Sequence, residues 1–435
     1  MMKNISKYLL ISFVICLLGT SCNKNSNQPE TENPALDEAN RMFLRYDAMT
    51  NTEKLEHLDL LDSCIANLDD VLKKYPNNAA ANYLMGYALE RKENGGTTVL
   101  NFELIDRSKT EKISKYFEKA ITDTKFLPDY KQSQYSKITV LWDNLALNYS
   151  LKGKPDSAAV AMEHCREIGG LRPANLEYAE NILKNLPPNA ILIVDTDLET
   201  ACLRYLQYIK GLRQDVSVLN YLLFDYQWYA KWISFPINLT APVETELSDT
   251  DLYGLYTGLT EDKRTQTIAG IEVTPKGSGK SQDGKAEVSI NDKIVLAVID
   301  KNLRRRPICF SITAAKHVPY STGFAEYIAL HGLIAELHTE KISLSKSVAG
   351  DEISDMLLNR FQFDKFMSGS ARLDRDVMFI ELNYRFVFSQ ELFYFSEFAS
   401  DKSGAKAIIG KFDAVFPPSH FPRTKEETAI LKKLK

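Results

Sequence analysis

The chain has 435 residues, of which 44% are hydrophobic and 25% charged, a composition typical of a folded protein with two or three domains. Its 53 basic and 57 acidic residues give a net charge of -4, so it lacks the strongly basic surface that nucleic-acid binding requires. Composition and charge therefore exclude a mainly disordered chain and argue against a nucleic-acid-binding protein.

Residues 1–22 have the organisation of an export signal. Lys3 and Lys7 precede an apolar run over residues 8–18, and small residues then lead to Cys22. The apolar run is too short to span a bilayer, which takes about 20 residues. We therefore exclude this segment from the folded part of the chain.

The segment Leu17-Leu18-Gly19-Thr20-Ser21-Cys22 resembles the lipobox of bacterial lipoproteins, although Gly19 stands where a branched apolar residue is usual. The resemblance implies a lipid on Cys22 that anchors the chain in the cell envelope. The absence of an acidic run after Cys22 favours the periplasmic face of the outer membrane. An ordinary cleaved signal, with Cys22 left as a linker thiol, is the alternative.

Residues 23–39 are polar and predict a flexible tether, and residues 40–186 show helical periodicity with internal repeats. One stretch has the spacing of large and small residues found in tetratricopeptide (TPR) repeats, carried by Trp142, Leu145, Ala146, Tyr149, Gly153, Ala158, Met162 and Cys165. Two looser copies precede it, one with an insertion around residues 94–108. The resemblance implies stacked helical hairpins that bind a protein partner, and a generic array of helical hairpins is the alternative.

Residues 187–345 predict a small α/β domain. Two β-branched runs, residues 191–195 and 215–220, flank a helical stretch, which is the pattern of a βαβ unit. A further strand is predicted over residues 307–312, and a hairpin is expected to pair residues 271–273 with 286–290.

Residues 346–435 predict a C-terminal helical hairpin formed by residues 377–398 and 405–416. The expected fold class is thus α+β and multidomain: TPR-like α-hairpin repeats, a central small α/β (βαβ) domain and this C-terminal hairpin.

The middle of the chain resembles the soluble C-terminal region of Bacteroidetes membrane proteins related to protein mannosyltransferases. Motifs within residues 186–232 and 292–337 carry the resemblance: Leu186-Pro187-Pro188-Asn189-Ala190, Asp197/Glu199/Thr200, Tyr205-Leu206-Gln207, Arg213-x-Asp215-Val216, Arg306-Pro307-Ile308 and Leu330-x-Gly332-Leu333. The membrane portion that carries glycosyl transfer in that family has no counterpart in this sequence. The resemblance therefore implies a shared accessory module rather than inherited transferase activity.

The candidate ligand site is acidic. Asp195 and Asp197 follow the first predicted strand, Glu199 comes just beyond, and Asp225 follows the second strand. Ligands of open parallel sheets bind at the carboxyl ends of strands, where carboxylates can hold a cation or transfer protons. Helix capping by Asp197 or Thr200 is the structural alternative.

No motif indicates a cofactor, a metal site or a nucleophilic triad. The six histidines lack metal-binding spacing. Four cysteines outside the signal are widely separated, and their pairing cannot be assigned from sequence: Cys64, Cys165, Cys202 and Cys309. The basic run Arg304-Arg305-Arg306 is compatible with phosphate binding or with cations at a helix C-terminus.

The sequence thus predicts a lipid-anchored cell-envelope scaffold. Its TPR-like surface is expected to bind envelope proteins, and its lipid is expected to bind the membrane. The alternative is an accessory or enzyme component of cell-surface glycan or glycoprotein assembly, with the acidic cluster as its site.

Overall fold

The computed structural model describes residues 33–96, 104–123, 126, 133–233, 242–257, 265–280, 286–343, 350–368, 375–399 and 401–434. The signal, Cys22 and most of the tether lie outside these residues. The described residues form two compact units. The helical unit belongs to Cys22–Arg172, and the sheet unit to Pro173–Arg372 with Val377–Lys435.

The helical unit contains α1 (Pro34–Asp47), α2 (Asn51–Glu56), α3 (Leu58–Lys74), α4 (Ala79–Glu93), α5 (Arg107–Ala120), α6 (Gln134–Leu151) and α7 (Pro155–Glu167). Helix α1 packs on α3, and from α3 onward each helix packs on the next one in the chain. Close approach requires small residues: a Cβ atom on Gly86 of α4 would lie 2.8 Å from the ring of Phe117 in α5. This is the local packing expected of helical hairpins.

The hairpin predicted around Trp142 and Cys165 is formed by α6 and α7. Trp142 is buried, its Nε1 donates to Ser114 Oγ at 3.0 Å, and its ring meets His164 edge-on. Gly153 has a φ of 66° in the turn, which glycine adopts readily. The helical hairpin is therefore confirmed, whereas membership of the TPR family remains a prediction.

The described part of the sheet unit contains nine short strands and the helices that pack around them. Its helices are α8 (Pro173–Asn185), α9 (Asp197–Tyr208), α10 (Gln227–Trp232), α11 (Asp249–Tyr256), α12 (Ile290–Asn302), α13 (Ile312–Ala315), α14 (Val318–Ser321), α15 (Gly350–Asp355), α16 (Asp364–Met367), α17 (Arg375–Glu397), α18 (Lys402–Val415) and α19 (Lys425–Leu434). A 3-10 helix (Tyr221–Asp225) and a π-helix (Met356–Arg360) complete them. Its strands are β1 (Ile191–Val194), β2 (Ser217–Asn220), β3 (Gln266–Ile268), β4 (Ile271–Val273), β5 (Gly279–Lys280), β6 (Ala286–Glu287), β7 (Ile308–Ser311), β8 (Ile328–His331) and β9 (Ile334–Leu337).

The main sheet has five strands in the order β2-β1-β7-β9-β8. Strand β1 is parallel to both β2 and β7, with Ile191 opposite Ser217 and Ile308, while β9 and β8 add an antiparallel edge. Every residue of β1, β2 and β7 is buried, which explains their nearly uninterrupted apolar sequence. The α+β multidomain class predicted from sequence is confirmed.

Two details differ from the sequence-based expectation. The predicted pairing of residues 271–273 with 286–290 is wrong, because β4 pairs with β3 and β6 with β5. The tight turn Ala269-Gly270, with φ values of 50° and 84°, closes the observed β3–β4 hairpin. The units divide at Arg172/Pro173 rather than at residue 186, because α8 packs against α9 and α16. The C-terminal helices also belong to the sheet unit instead of forming a separate region.

The four cysteines discussed above are buried, and none of them forms a disulfide bond with another described residue. Among the described helices, none is long and apolar enough to cross a membrane.

Candidate functional site

The carboxyl ends of β1, β2 and β7 lie at one edge of the sheet. Asp195 follows β1 directly, Asn220 ends β2 and Ser311 ends β7. The chain leaves β1 towards β2 on one side and later returns to β7 on the other, so β1 marks a topological switch point. Ligand sites of open α/β sheets form at such points. We call this region the strand-edge site; its polar residues are Asp195, Asp197, Glu199, Asn220, Ser311, Thr313, Lys316 and His317.

Asp195 pairs with His317, which follows α13. His317 Nε2 lies 2.8 Å from Asp195 Oδ2. Because a carboxylate oxygen only accepts, Nε2 carries the proton, and in the neutral ring Nδ1 is left as an acceptor. The ring of Tyr221 packs edge-on against the imidazole at 5.4 Å and helps to orient it. The His317 side chain is 44% exposed, so the pair is accessible from solvent.

Glu199 lies in the first turn of α9 and is 4% exposed. Burial, reinforced by the negative charge of Asp195, raises the pKa of its carboxyl to about 8, although nearby hydroxyl groups of Ser311, Thr313 and Tyr178 act in the opposite direction. Thr313 Oγ1 donates to Glu199 Oε2 at 3.3 Å. At neutral pH this side chain is therefore mainly a protonated carboxyl group, which can donate a hydrogen bond.

Two buried carboxyl oxygens at the site lack hydrogen-bond partners within the described part of the chain. They are Oδ1 of Asp195 and Oε1 of Glu199. Buried polar atoms are normally satisfied by protein, water or ligand. These atoms therefore mark the place where a bound molecule would form hydrogen bonds.

Helix capping accounts for part of the acidic cluster, but the capping residue is Thr196 rather than Asp197 or Thr200. Thr196 Oγ1 accepts from Glu199 N at 3.4 Å. Asp197 begins α9, and Asn220 Nδ2 donates to its Oδ1 at 3.1 Å. Asp197 therefore links the ends of β1 and β2 and is less available to a ligand than Asp195.

Asp225 lies apart from the other carboxylates. It is exposed at the end of the 3-10 helix, and the groups that interact with it are Asn291 and Tyr256. The structure thus brings together Asp195, Asp197 and Glu199 but gives no contact between them and Asp225.

A cation also belongs to the site. Burial lowers the pKa of Lys316, although the negative charges of Asp195 and Glu199 act against this shift. Within the described residues, no group of three or more His, Cys, Asp and Glu side chains is arranged to hold a metal ion.

Three of the six motifs on which the sequence resemblance was based lie at the opposite, amino edge of the sheet: residues 186–190, 213–216 and 306–308. Arg213 donates to the carbonyl oxygens of Leu183, Leu186 and Pro187, each at 2.8 Å, and forms a two-point contact with Asp215. Asp215 in turn accepts from Asn189 N, which has a φ of 57°. These hydrogen bonds hold the backbone in place where the chain enters β1 and β2.

Arg306 completes this arrangement at the entry to β7. It donates to the carbonyl oxygens of Asn189, Ala190 and Pro242 and to Ser217 Oγ. We call Arg213, Asp215 and Arg306 the amino-edge network. The guanidinium of Arg306 is therefore held by carbonyl oxygens and a hydroxyl group of neighbouring segments.

Sequence reasoning missed His317, Lys316, Ser311 and Thr313. His317 is 122 positions from Asp195, and no local spacing joins them. The available signal was the predicted strand ending at Ile312, because residues following a parallel strand share the edge with those following its neighbours.

Comparison with known proteins relates the middle of the chain to a transferase-associated family. Residues 175–272 match the family described as TMEM260-associated domain 2. The protein O-mannosyl-transferase TMEM260 of Mus musculus is 33% identical over 105 residues, which cover 22% of this chain and 15% of the mouse protein. The chain thus corresponds to a small part of that relative's length, and no solved structure matches it.

The matched segment runs from α8 to β4 and includes Asp195, Asp197 and Glu199, whereas His317 lies beyond it. The resemblance of the middle region to mannosyltransferase-related proteins is therefore confirmed. The bacterial TPR-lipoprotein assignment stays a prediction.

Proposed function

We propose that the chain is an accessory component of cell-surface glycan or glycoprotein assembly and binds its ligand at the strand-edge site. The observation that carries this proposal is the position of Asp195, Asp197 and Glu199 within the segment that matches TMEM260-associated domain 2. The mouse relative is named as a protein O-mannosyl-transferase, which makes a mannose-containing glycan the first ligand to consider. This role replaces the scaffold as our main interpretation.

The geometry supports binding at this edge. Asp195 Oδ1 and Glu199 Oε1 are buried without partners among the described residues, and His317 reaches solvent beside them. A ligand that supplies hydrogen-bonding groups would satisfy these atoms, which gives binding a physical reason.

The membrane and partner roles remain proposals based on sequence. A lipid on Cys22 would hold the protein at the envelope, most naturally at the periplasmic face of the outer membrane. The packed helical hairpins would offer a surface to an envelope protein. Both roles suit an accessory component that acts beside membrane-bound enzymes.

The test is a deletion of the gene in the native host, complemented with wild type, Asp195→Asn or Asp249→Asn. Asp249 is an exposed residue at the start of α11 and provides the same charge change away from the site. We expect altered envelope glycans in the deletion strain, measured by mass spectrometry of released glycans. Wild type and Asp249→Asn should restore them, and Asp195→Asn should not. Unchanged glycans in the deletion strain would rule out the proposed function.

A further inference from the structure

The strand-edge site has two carboxylates, Asp195 and Asp197, and one ammonium group, Lys316, so its charges nearly balance. The carboxylate of Asp195 forms a hydrogen bond with His317. The ammonium of Lys316 interacts electrostatically with Asp195 and Glu199. Glu199 adds little negative charge at pH 7, because burial holds its carboxyl in the protonated form. This group of residues therefore lacks the excess of positive or negative charge that would attract a strongly charged ligand.

This balance disfavours a metal ion. Divalent cations bind ionised carboxylates and are repelled by neighbouring ammonium groups. Glu199 is mainly neutral, Lys316 contributes a cation, and Asp195 already accepts from His317. A cation bound to Asp195 Oδ1 would be repelled by the ammonium of Lys316 and would gain no charge from Glu199.

The balance also disfavours a phosphate group. The N-terminus of α9 lies at this edge, and backbone amides at such a position favour an anion. Thr196 caps this N-terminus, however, and Asp197 and Glu199 occupy its first turn. Asp195 precedes this cap in the chain, so the carboxylates of Asp195 and Asp197 lie next to the helix N-terminus and repel a phosphate there.

We infer, building on the proposed function, that the strand-edge site takes an uncharged, hydroxyl-rich ligand: the saccharide itself rather than a metal ion or a phosphorylated sugar donor. Asp195 Oδ1 and His317 Nδ1 accept hydrogen bonds, and the protonated carboxyl of Glu199 donates one. Sugar hydroxyl groups both donate and accept, so one ring satisfies this mixed set. In glycan assembly the site would then hold the growing or finished glycan, not the activated donor.

The inference carries a pH dependence through Glu199. The titratable groups that face it are Asp195 from the β1–α9 loop, Tyr178 from α8 and Lys316 after α13. Burial raises the pKa of Tyr178 well above its usual value, so this phenol stays neutral as Glu199 ionises. Above about pH 8 Glu199 loses its donor and places a second negative charge beside Asp195. Binding of a neutral sugar should weaken there.

The test uses the full chain and three probes. Neutral mono- and disaccharides, including mannobiose, are followed by saturation-transfer NMR, inorganic pyrophosphate by the broadening of its phosphorus resonances, and Mg²⁺ by its effect on the chemical shifts of the protein. We expect a neutral saccharide to bind at pH 7 and to bind about tenfold more weakly at pH 9. Asp195→Asn should weaken binding about tenfold or more at pH 7, with Asp249→Asn as the matched control. Glu199→Gln keeps a donor at every pH and should flatten the pH profile.

Binding of pyrophosphate or Mg²⁺ that is lost in Asp195→Asn would overturn this inference while leaving a ligand site in place. Binding by none of the three probes would also overturn it. The envelope glycans of the deletion strain would then decide separately whether the proposed function stands.

Discussion

Two carboxyl groups of the sheet unit, Glu199 and Glu391, are buried, and burial raises the pKa of each to about 8. Ser354 donates to Glu391, and each carboxyl group keeps one oxygen without a partner among the described residues. Both groups ionise with ordinary pKa values near 4.5 in the unfolded chain. The unfolded chain therefore binds fewer protons than the folded one between about pH 4.5 and 8, and stability falls as the pH rises through this window.

Glu199→Gln should remove part of this fall in stability with rising pH. Glutamine keeps the shape and is neutral at every pH, so between pH 5 and 9 the free energy of unfolding should fall by roughly 4 kcal/mol less in the variant than in wild type. Urea denaturation at several pH values measures the difference. Glu272→Gln, at an exposed position of β4, is the control and should leave the wild-type slope intact. An unchanged slope in Glu199→Gln would show that Glu199 ionises normally in the folded protein.

For single residues, the sequence identified Asp195 and Glu199 because both follow a recognisable buried strand. It did not identify their partners, because contact between Asp195 and His317 depends on β7 pairing with β1. It also gave Asp225 a place in the site that the structure does not support. The 3-10 helix after β2 carries that side chain towards Asn291 instead.

At the scale of elements, the entry of the chain into the sheet depends on Arg213. Its guanidinium bonds to three carbonyl oxygens and to Asp215, whose carboxyl pKa is lowered chiefly by that contact. The stabilisation that Asp215 contributes is thus present above about pH 4 and is lost as the pH falls below it.

Arg213→Lys should lower the free energy of unfolding by roughly 2 kcal/mol, because a lysine ammonium cannot reproduce the planar set of donors. Chemical denaturation at neutral pH measures this loss. Arg305→Lys is the matched control, since Arg305 is exposed and forms one ion pair with Glu244. Equal stability of the two variants would contradict the structural role of Arg213.

The start of α9 depends on Thr196. Thr196→Ala removes the hydroxyl that accepts from Glu199 N and should destabilise the unit by about 1 kcal/mol, whereas Thr196→Ser keeps the cap and should lose less. Thermal and urea denaturation of both variants compare them directly. If alanine and serine behave alike, the cap contributes nothing measurable.

Among the elements, β1, α9, β2 and β7 were predicted because apolar runs and helical periodicity are local signals. The β3–β4 hairpin was missed because its strands have three residues each. The dipeptide Ala269-Gly270 was a weaker turn signal than the Gly- and Pro-rich stretch that follows β4.

At the scale of the whole molecule, the α+β class followed from the change in periodicity near residue 187. The boundary between units did not, because α8 has the same helical pattern as the repeats before it. Only its packing on α9 and α16 assigns it to the sheet unit. Local sequence patterns indicate what an element is, whereas its neighbours decide the unit to which it belongs.

The proposed lipid anchor gives a prediction for the entire chain. Cys22→Ser should move the protein from the membrane fraction to the aqueous phase on detergent phase separation, because the proposed site of lipid attachment is lost. Cys16→Ser, within the same signal, is the control and should remain with the membrane. Retention of the Cys22→Ser protein in the detergent phase would rule out a lipid at this cysteine.

The amino-edge network is separate from the strand-edge site, and this separation affects how the sequences of related proteins should be compared. Arg213, Asp215 and Arg306 hold the segments that lead into the strands, whereas Asp195, Glu199 and His317 lie near the carboxyl ends of the strands and take no part in that network. Proteins that share the amino-edge network can therefore differ in the ligand that they recognise. A relative that binds the same ligand should be identified by the presence of Asp195, Glu199 and His317, even when its overall identity is low.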